Sequence, residues 1–178
     1  TSDVSRMFNS RLTYSKASLI LHMLRWEIGD SAFFQGIKSY IQDPQLSYSF
    51  SLTNSFIQHM EAACGRSLKG FFDDWLYGEG TPVYQVQYNQ RGNQLNLSLF
   101  QTQTHPSVSF FEQKVQFRVY GYKASDSLDF VENITSNGQV IQKNLPFEVA
   151  RVVFDPEYRI VARHSFQAVT ASEPLIFP

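Results

Sequence analysis

The chain is 178 residues long, enough for one large domain or two small ones, and 43% of it is hydrophobic, which suits a folded chain and excludes a disordered one. A formal net charge of −1 leaves no basic surface to call for nucleic acid or an anionic membrane. No apolar run is long enough to span a bilayer, because Arg25, Glu27 and Asp30 interrupt the best one, around residues 19–28. The single cysteine, Cys64, has no partner in the chain, so disulfides do not hold the fold together, and secretion stays open. With Thr1 at its start and no signal peptide, the sequence reads as a processed or deliberately cut piece.

The first elements are helical. Between residues 14 and 28, Leu19, Ile20, Met23, Leu24 and Ile28 recur at helical spacing. Gly29 is a C-terminal stop, and Asp30 a cap for a second helix over residues 31–42. Asp43-Pro44 breaks that helix, because proline disfavours helical geometry in the residue before it. A third helix fits residues 52–64, capped by Ser51 or Thr53 and ended by Gly65. A fourth follows Ser67, carries Leu68, Phe71, Phe72, Trp75 and Leu76, and stops at Gly78.

After Gly78-Glu79-Gly80-Thr81-Pro82 the period changes to two. Val83, Gln85 and Gln87 alternate with Tyr84, Val86 and Tyr88, and a turn over residues 90–93 leads into Leu95, Leu97 and Leu99. Val115, Phe117, Val119 and Gly121 continue the alternation, followed by strands at residues 128–131, 139–142, 149–154 and 158–162. Gly138 and Asp155-Pro156-Glu157 punctuate them as turns. About seven short strands without helical period predict an antiparallel β-sandwich. The expected class is therefore α+β: a helical subdomain over residues 1–80, a sandwich over 81–164, and a tail or linker over 165–178.

Several short motifs carry chemistry. Tyr14-Ser15-Lys16-Ala17-Ser18 resembles the Tyr-x-Lys-Gly-Ala/Ser segment of the M1 (gluzincin) zinc aminopeptidases. Gly29-Asp30-Ser31-Ala32-Phe33-Phe34 is similar to that family's Gly-Asp/Glu-x-x-Phe helix start. Phe71-Phe72-Asp73-Asp74-Trp75-Leu76 with Gly80-Thr81-Pro82-Val83 is similar to its Phe-x-x-Trp-Leu…Gly-x-Pro junction, behind which many M1 enzymes carry a sandwich. The resemblance runs from Tyr14 to about Arg163, with Ala17 standing where the family usually has glycine. It implies the end of a thermolysin-like catalytic domain, with Tyr14 as the catalytic residue that stabilises the tetrahedral intermediate.

The same resemblance implies zinc in the intact parent and a peptide substrate trimmed from its N-terminus. It also implies zinc ligands and a general-base Glu upstream of Thr1, because His-Glu-x-x-His is absent here and His22, His59, His105 and His164 are scattered. No metal or cofactor residue is assigned in this chain, which is expected to be inactive without the missing half of the catalytic domain. No nucleic-acid partner and no membrane span are expected.

Blander readings stand beside these. Without the surrounding motif, a tyrosine at a helix entrance is more often an interface or packing residue than a catalytic one. Lys16 reads as a solvated helix charge or an acid's partner before a substrate contact. Asp73 and Asp74, being adjacent, point to different faces of a helix. Trp75, Phe71 and Phe72 read as an aromatic plug between helices and sandwich, and Cys64 as an inert thiol. Asn96-Leu97-Ser98 and Asn133-Ile134-Thr135 are formal glycosylation sequons of a kind that occurs often by chance.

The alternative functions are a non-enzymatic sandwich module with a helical cap, presenting Tyr84, Tyr88, Tyr120 and Tyr122 to a partner, or an M1-like protein that has lost its zinc site. The final residues, 171–178, resemble the start of the C-terminal sorting domains of some secreted bacterial proteins, which implies export.

Overall fold

In the computed structural model, residues 3–169 are described, and they fall into two compact units that divide between Gly78 and Glu79. The helical unit contains α1 (Val4–Met7), a π-helical turn (Ser10–Ser15), α2 (Lys16–Ile28), α3 (Asp30–Gln42), α4 (Thr53–Cys64) and α5 (Lys69–Phe72), which runs into a second π-helical turn (Asp73–Tyr77). Gly29 ends one helix and opens the next. Its φ of 82° lies where L-residues are strained, its N–H donates to the Arg25 carbonyl, and its own carbonyl accepts from Phe33.

Two capping details differ from the sequence reading. Asp30 lies in the first turn of α3 instead of capping it, and its carboxylate takes a bidentate fork from Arg25 at 2.7 and 2.8 Å. Leu52, which has no side-chain acceptor, occupies the cap position of α4 in place of Ser51 or Thr53, and the Ser51 hydroxyl accepts from the Tyr40 hydroxyl at 2.9 Å.

Apolar faces of these helices bury Ile20, Met23, Leu24, Phe33, Met60, Leu68, Phe72 and Trp75. Gly36 lets α3 approach α4 closely: a Cβ there would lie 2.7 Å from the Met60 sulfur and 3.4 Å from the Ala63 Cβ. His59 adds a polar staple to the same pair. Its Nδ1 lies 2.7 Å from the Ser39 hydroxyl and its Nε2 3.1 Å from an Asp43 carboxylate oxygen.

The second unit has seven strands among its described residues: β1 (Pro82–Arg91), β2 (Gln94–Gln103), β3 (Gln113–Gly121), β4 (Ser127–Ile134), β5 (Gln139–Asn144), β6 (Val149–Phe154) and β7 (Arg163–Ala168). They form a four-stranded sheet ordered β5-β2-β1-β7 and a three-stranded sheet ordered β4-β3-β6. The β1–β2 hairpin pairs Arg91 with Gln94 around Gly92-Asn93, with Gly92 at positive φ. Tyr84, Val86, Leu95, Leu97 and Leu99 from one sheet share a buried core with Val115, Phe117, Val119, Val152 and Phe154 from the other.

The last strand departs from the sequence reading. Residues 158–162 form no strand, because Asp155 turns the chain at a φ of 48° and its carboxylate binds the N–H groups of Arg159 and Ile160 at 2.8 and 3.1 Å. The strand forms five residues later, and it lies parallel to β1, pairing Val83 with Arg163 through Tyr88 with Ala168. The four-stranded sheet is therefore mixed, and part of the expected tail belongs to it. The sorting-like residues 171–178 lie outside the described residues.

Candidate functional site

Tyr14 sits in the first π-helical turn, one turn earlier in character than the regular helix start expected for it. The Asn9 side chain opens this turn, accepting from the N–H groups of Arg11 and Leu12 at 3.1 and 3.0 Å. The Thr13 hydroxyl donates to the Met7 carbonyl at 2.7 Å. Lys16 closes it, donating its backbone N–H to the carbonyls of Arg11 and Thr13. Short π-helical segments are rare and recur at functional sites.

Tyr14 is 57% exposed. Its hydroxyl makes no hydrogen bond to another described residue, so its donor and acceptor capacity is available to a ligand. Around it, Phe8 and Leu12 are exposed as well.

Lys16 is exposed, and among the described residues it forms no ion pair with an acid. Its ammonium donates one hydrogen bond to the carbonyl of Gly78 at 3.2 Å, within the helical unit. Gly78 is the residue whose N–H ends the second π-helical turn on the Asp73 carbonyl at 2.8 Å. The residues that fix Tyr14 are thus Asn9, Thr13, Lys16 and Gly78, and the last lies 62 positions away in the chain, where no local pattern points to it.

The other singled-out residues stay apart. His22 lies exposed on α2, His59 belongs to the α3–α4 staple, His105 sits 3.6 Å from a Glu79 carboxylate oxygen, and His164 stacks on Phe154 at 4.9 Å. Among the described residues, no group of three or more His, Cys, Asp or Glu is placed to hold a metal ion. Asp73 pairs with Lys69 on the same helical face. Phe72 packs edge-on against Phe56 of α4 and against Phe71, inside the helical unit.

Cys64 is partly buried, with its sulfur near the carbonyls of Glu61 and Arg66. Of the two sequons, Asn96 is engaged through both ends of its amide by Asn89 and Gln142, whereas Asn133 is exposed. The four strand tyrosines form no common face: Tyr84 is fully buried, Tyr120 lies under the Arg151 guanidinium, and Tyr122 is 76% exposed.

Comparison with known proteins bears on the helical unit first. Residues 1–75 match the family model described as the Peptidase family M1 domain. Aminopeptidase N of Lactococcus lactis subsp. lactis is 32% identical over 85 residues, covering 48% of this chain and 10% of that protein. Glutamyl aminopeptidase of Bitis rhinoceros is 27% identical over 135 residues, covering 76% of this chain and 13% of that protein. The sequence similarity to the M1 peptidase domain thus falls on the helical unit.

The fold is shared more widely than the sequence. Legionella pneumophila aminopeptidase A, solved in complex with aspartic acid, superimposes with a TM-score of 0.78 over 94% of this chain and 19% of that one, at 12% identity. The chain thus spans roughly a tenth of the length of the curated relatives it matches.

Proposed function

We propose that this chain is the C-terminal part of a zinc aminopeptidase that removes N-terminal residues from peptides, and that Tyr14 supplies the hydroxyl that stabilises the developing oxyanion. The observation that carries the reading is the state of Tyr14: a solvent-facing tyrosine with an unused hydroxyl, on a turn tied at both ends, inside the segment matched to the M1 domain. When the scissile carbonyl is attacked, charge builds on its oxygen. A phenolic O–H donates one directed hydrogen bond to it without having to reorganise.

Zinc, which the family resemblance implies, finds no ligand set among the described residues, so the chemistry assigned to this chain is confined to its own side chains. Metal ligands, general base and the pocket for the free amine belong, on this reading, to the rest of the catalytic domain, and the chain alone is inactive. The test is Tyr14→Phe in the full-length polypeptide that contains this chain. Turnover of an aminoacyl-p-nitroanilide should fall by about 10²–10³-fold, the usual cost of one oxyanion donor, while zinc content by atomic absorption stays at the wild-type value. Unchanged turnover would remove Tyr14 from the mechanism, and a wild-type polypeptide without zinc or activity would favour an M1-like protein that has lost its site.

A further inference from the structure

Lys16 joins the two π-helical turns of the helical unit. Its backbone N–H closes the turn that carries Tyr14, and its ammonium binds the carbonyl of Gly78, whose own N–H closes the other. We propose that Lys16 is a positioning residue for Tyr14, holding the hydroxyl where the oxyanion forms. The inference rests on the oxyanion role given to Tyr14 above.

The physical case starts from the turn itself. A π-helical turn holds more residues per turn than an α-helix and seldom extends, so one that persists needs support at its ends. At the N-terminal end that support is the Asn9 side chain, bonded to two successive N–H groups. At the C-terminal end it is Lys16, where backbone and side chain of one residue act together. The Gly78 residue is buried, and a carbonyl there needs a donor. An ammonium meets that need with a charge-assisted bond, stronger than a neutral one.

Because the bond leaves the first turn of α2 and lands 62 residues on, it fixes the Tyr14 turn against a second element, not merely along its own helix. A tether of this kind is worth most to a residue whose hydroxyl must be right to within a fraction of an ångström. The same bond directs the Lys16 ammonium toward the backbone of a second element, a role distinct from contact with a substrate carboxylate.

The test uses the full-length polypeptide and reads kcat and KM for an aminoacyl-p-nitroanilide in wild type, Lys16→Met, Lys16→Arg, Tyr14→Phe and the Lys16→Met/Tyr14→Phe double variant. Hydrogen–deuterium exchange of the peptide spanning residues 9–16 is followed in parallel. Lys16→Met should lower kcat by about 10- to 100-fold, the cost of a misplacement near 1 Å, with KM within about twofold. Exchange in residues 9–16 should rise, Lys16→Arg should recover most of the rate, and the double variant should be no slower than Tyr14→Phe alone.

Three results overturn the proposal: a higher KM at unchanged kcat, losses that multiply in the double variant, or unchanged exchange in residues 9–16. Loss of protection throughout the helical unit overturns it too, by assigning Lys16 to general stability. If Tyr14→Phe leaves kcat unaltered, it is the oxyanion role that has failed, and the role of Lys16 falls with it. Unchanged exchange in Lys16→Met with a crippled Tyr14→Phe sinks the positioning role alone.

Discussion

Gln101, 2% exposed in the sandwich unit, uses both ends of its side-chain amide. Its Oε1 accepts from the Phe111 N–H at 2.7 Å, and its Nε2 donates to the Phe111 carbonyl and the Tyr84 hydroxyl, each at 2.9 Å. Burial pushes the Tyr84 phenol well above its ordinary range, so the hydroxyl stays neutral there. Gln101→Leu strands three buried polar groups at once, and stability should fall by at least about 2 kcal/mol in urea denaturation of the chain. A loss under about 0.5 kcal/mol, typical of surface substitutions, would mean that these groups find other partners. Tyr84 and Tyr14 show what a sequence conveys about one residue type. The period-two stripe around Tyr84 marks it as a sheet residue with one face inward. Nothing periodic marks Tyr14, and only the surrounding motif separates it from an ordinary surface tyrosine.

Among the elements, the helices end where their glycines stand, because Gly29 and Gly65 adopt positive φ that other residues avoid. Those boundaries were readable from composition and period. The π-helical turns were not: each spans too few residues to set up a recognisable period, and their tie through Lys16 and Gly78 is long-range. The seventh strand was displaced for a different reason. Residues 158–162 alternate well enough to suggest a strand, but the Asp155 carboxylate holds the backbone of 159–160 in a turn, whereas β7 is an edge strand with four of its first five residues polar and little alternation to find. The β3–β4 pair carries a surface ion network, in which Arg118 forks onto Asp129 at 2.6 and 2.7 Å and reaches Glu157 at 3.1 Å. The Arg118 hydrogen bonds hold the Asp129 carboxyl below its usual range. A depressed carboxylate stabilises the fold above its unfolded pKa, near 3.9, and that contribution is lost as the pH falls through the lower folded value. Between pH 5 and 2 the Tm of wild type should therefore fall more steeply than that of Asp129→Asn, measured by scanning calorimetry; parallel slopes would show that the pair is solvated in solution.

For the chain as a whole, the apolar residues that remain outside the two cores are informative. Val4, Phe8, Leu12, Phe34, Ile41 and Phe50, all in the helical unit, are each at least 47% exposed. Exposed apolar residues mark a surface that another body covers where they lie side by side. On the reading proposed above, that body is the remainder of the catalytic domain. The isolated chain should self-associate in analytical ultracentrifugation and bind a hydrophobic dye, and substituting Phe8 and Leu12 by serine should reduce both. A monodisperse chain that ignores the dye would argue against a covered face.

The parallel pairing of β1 with β7 has a consequence for how the chain is made. The first strand of the sandwich finds its outer neighbour only when residues 163–168 exist, some 80 positions later, so this sheet is completed by one of the longest loop closures in the unit. During synthesis the helical unit emerges before the sandwich, and its last internal tie, from Lys16 to Gly78, is available once residue 78 is made. The sandwich must wait with the β1 edge unpaired until its last strand leaves the ribosome, and a product truncated before Arg163 keeps that edge open to a strand from another molecule.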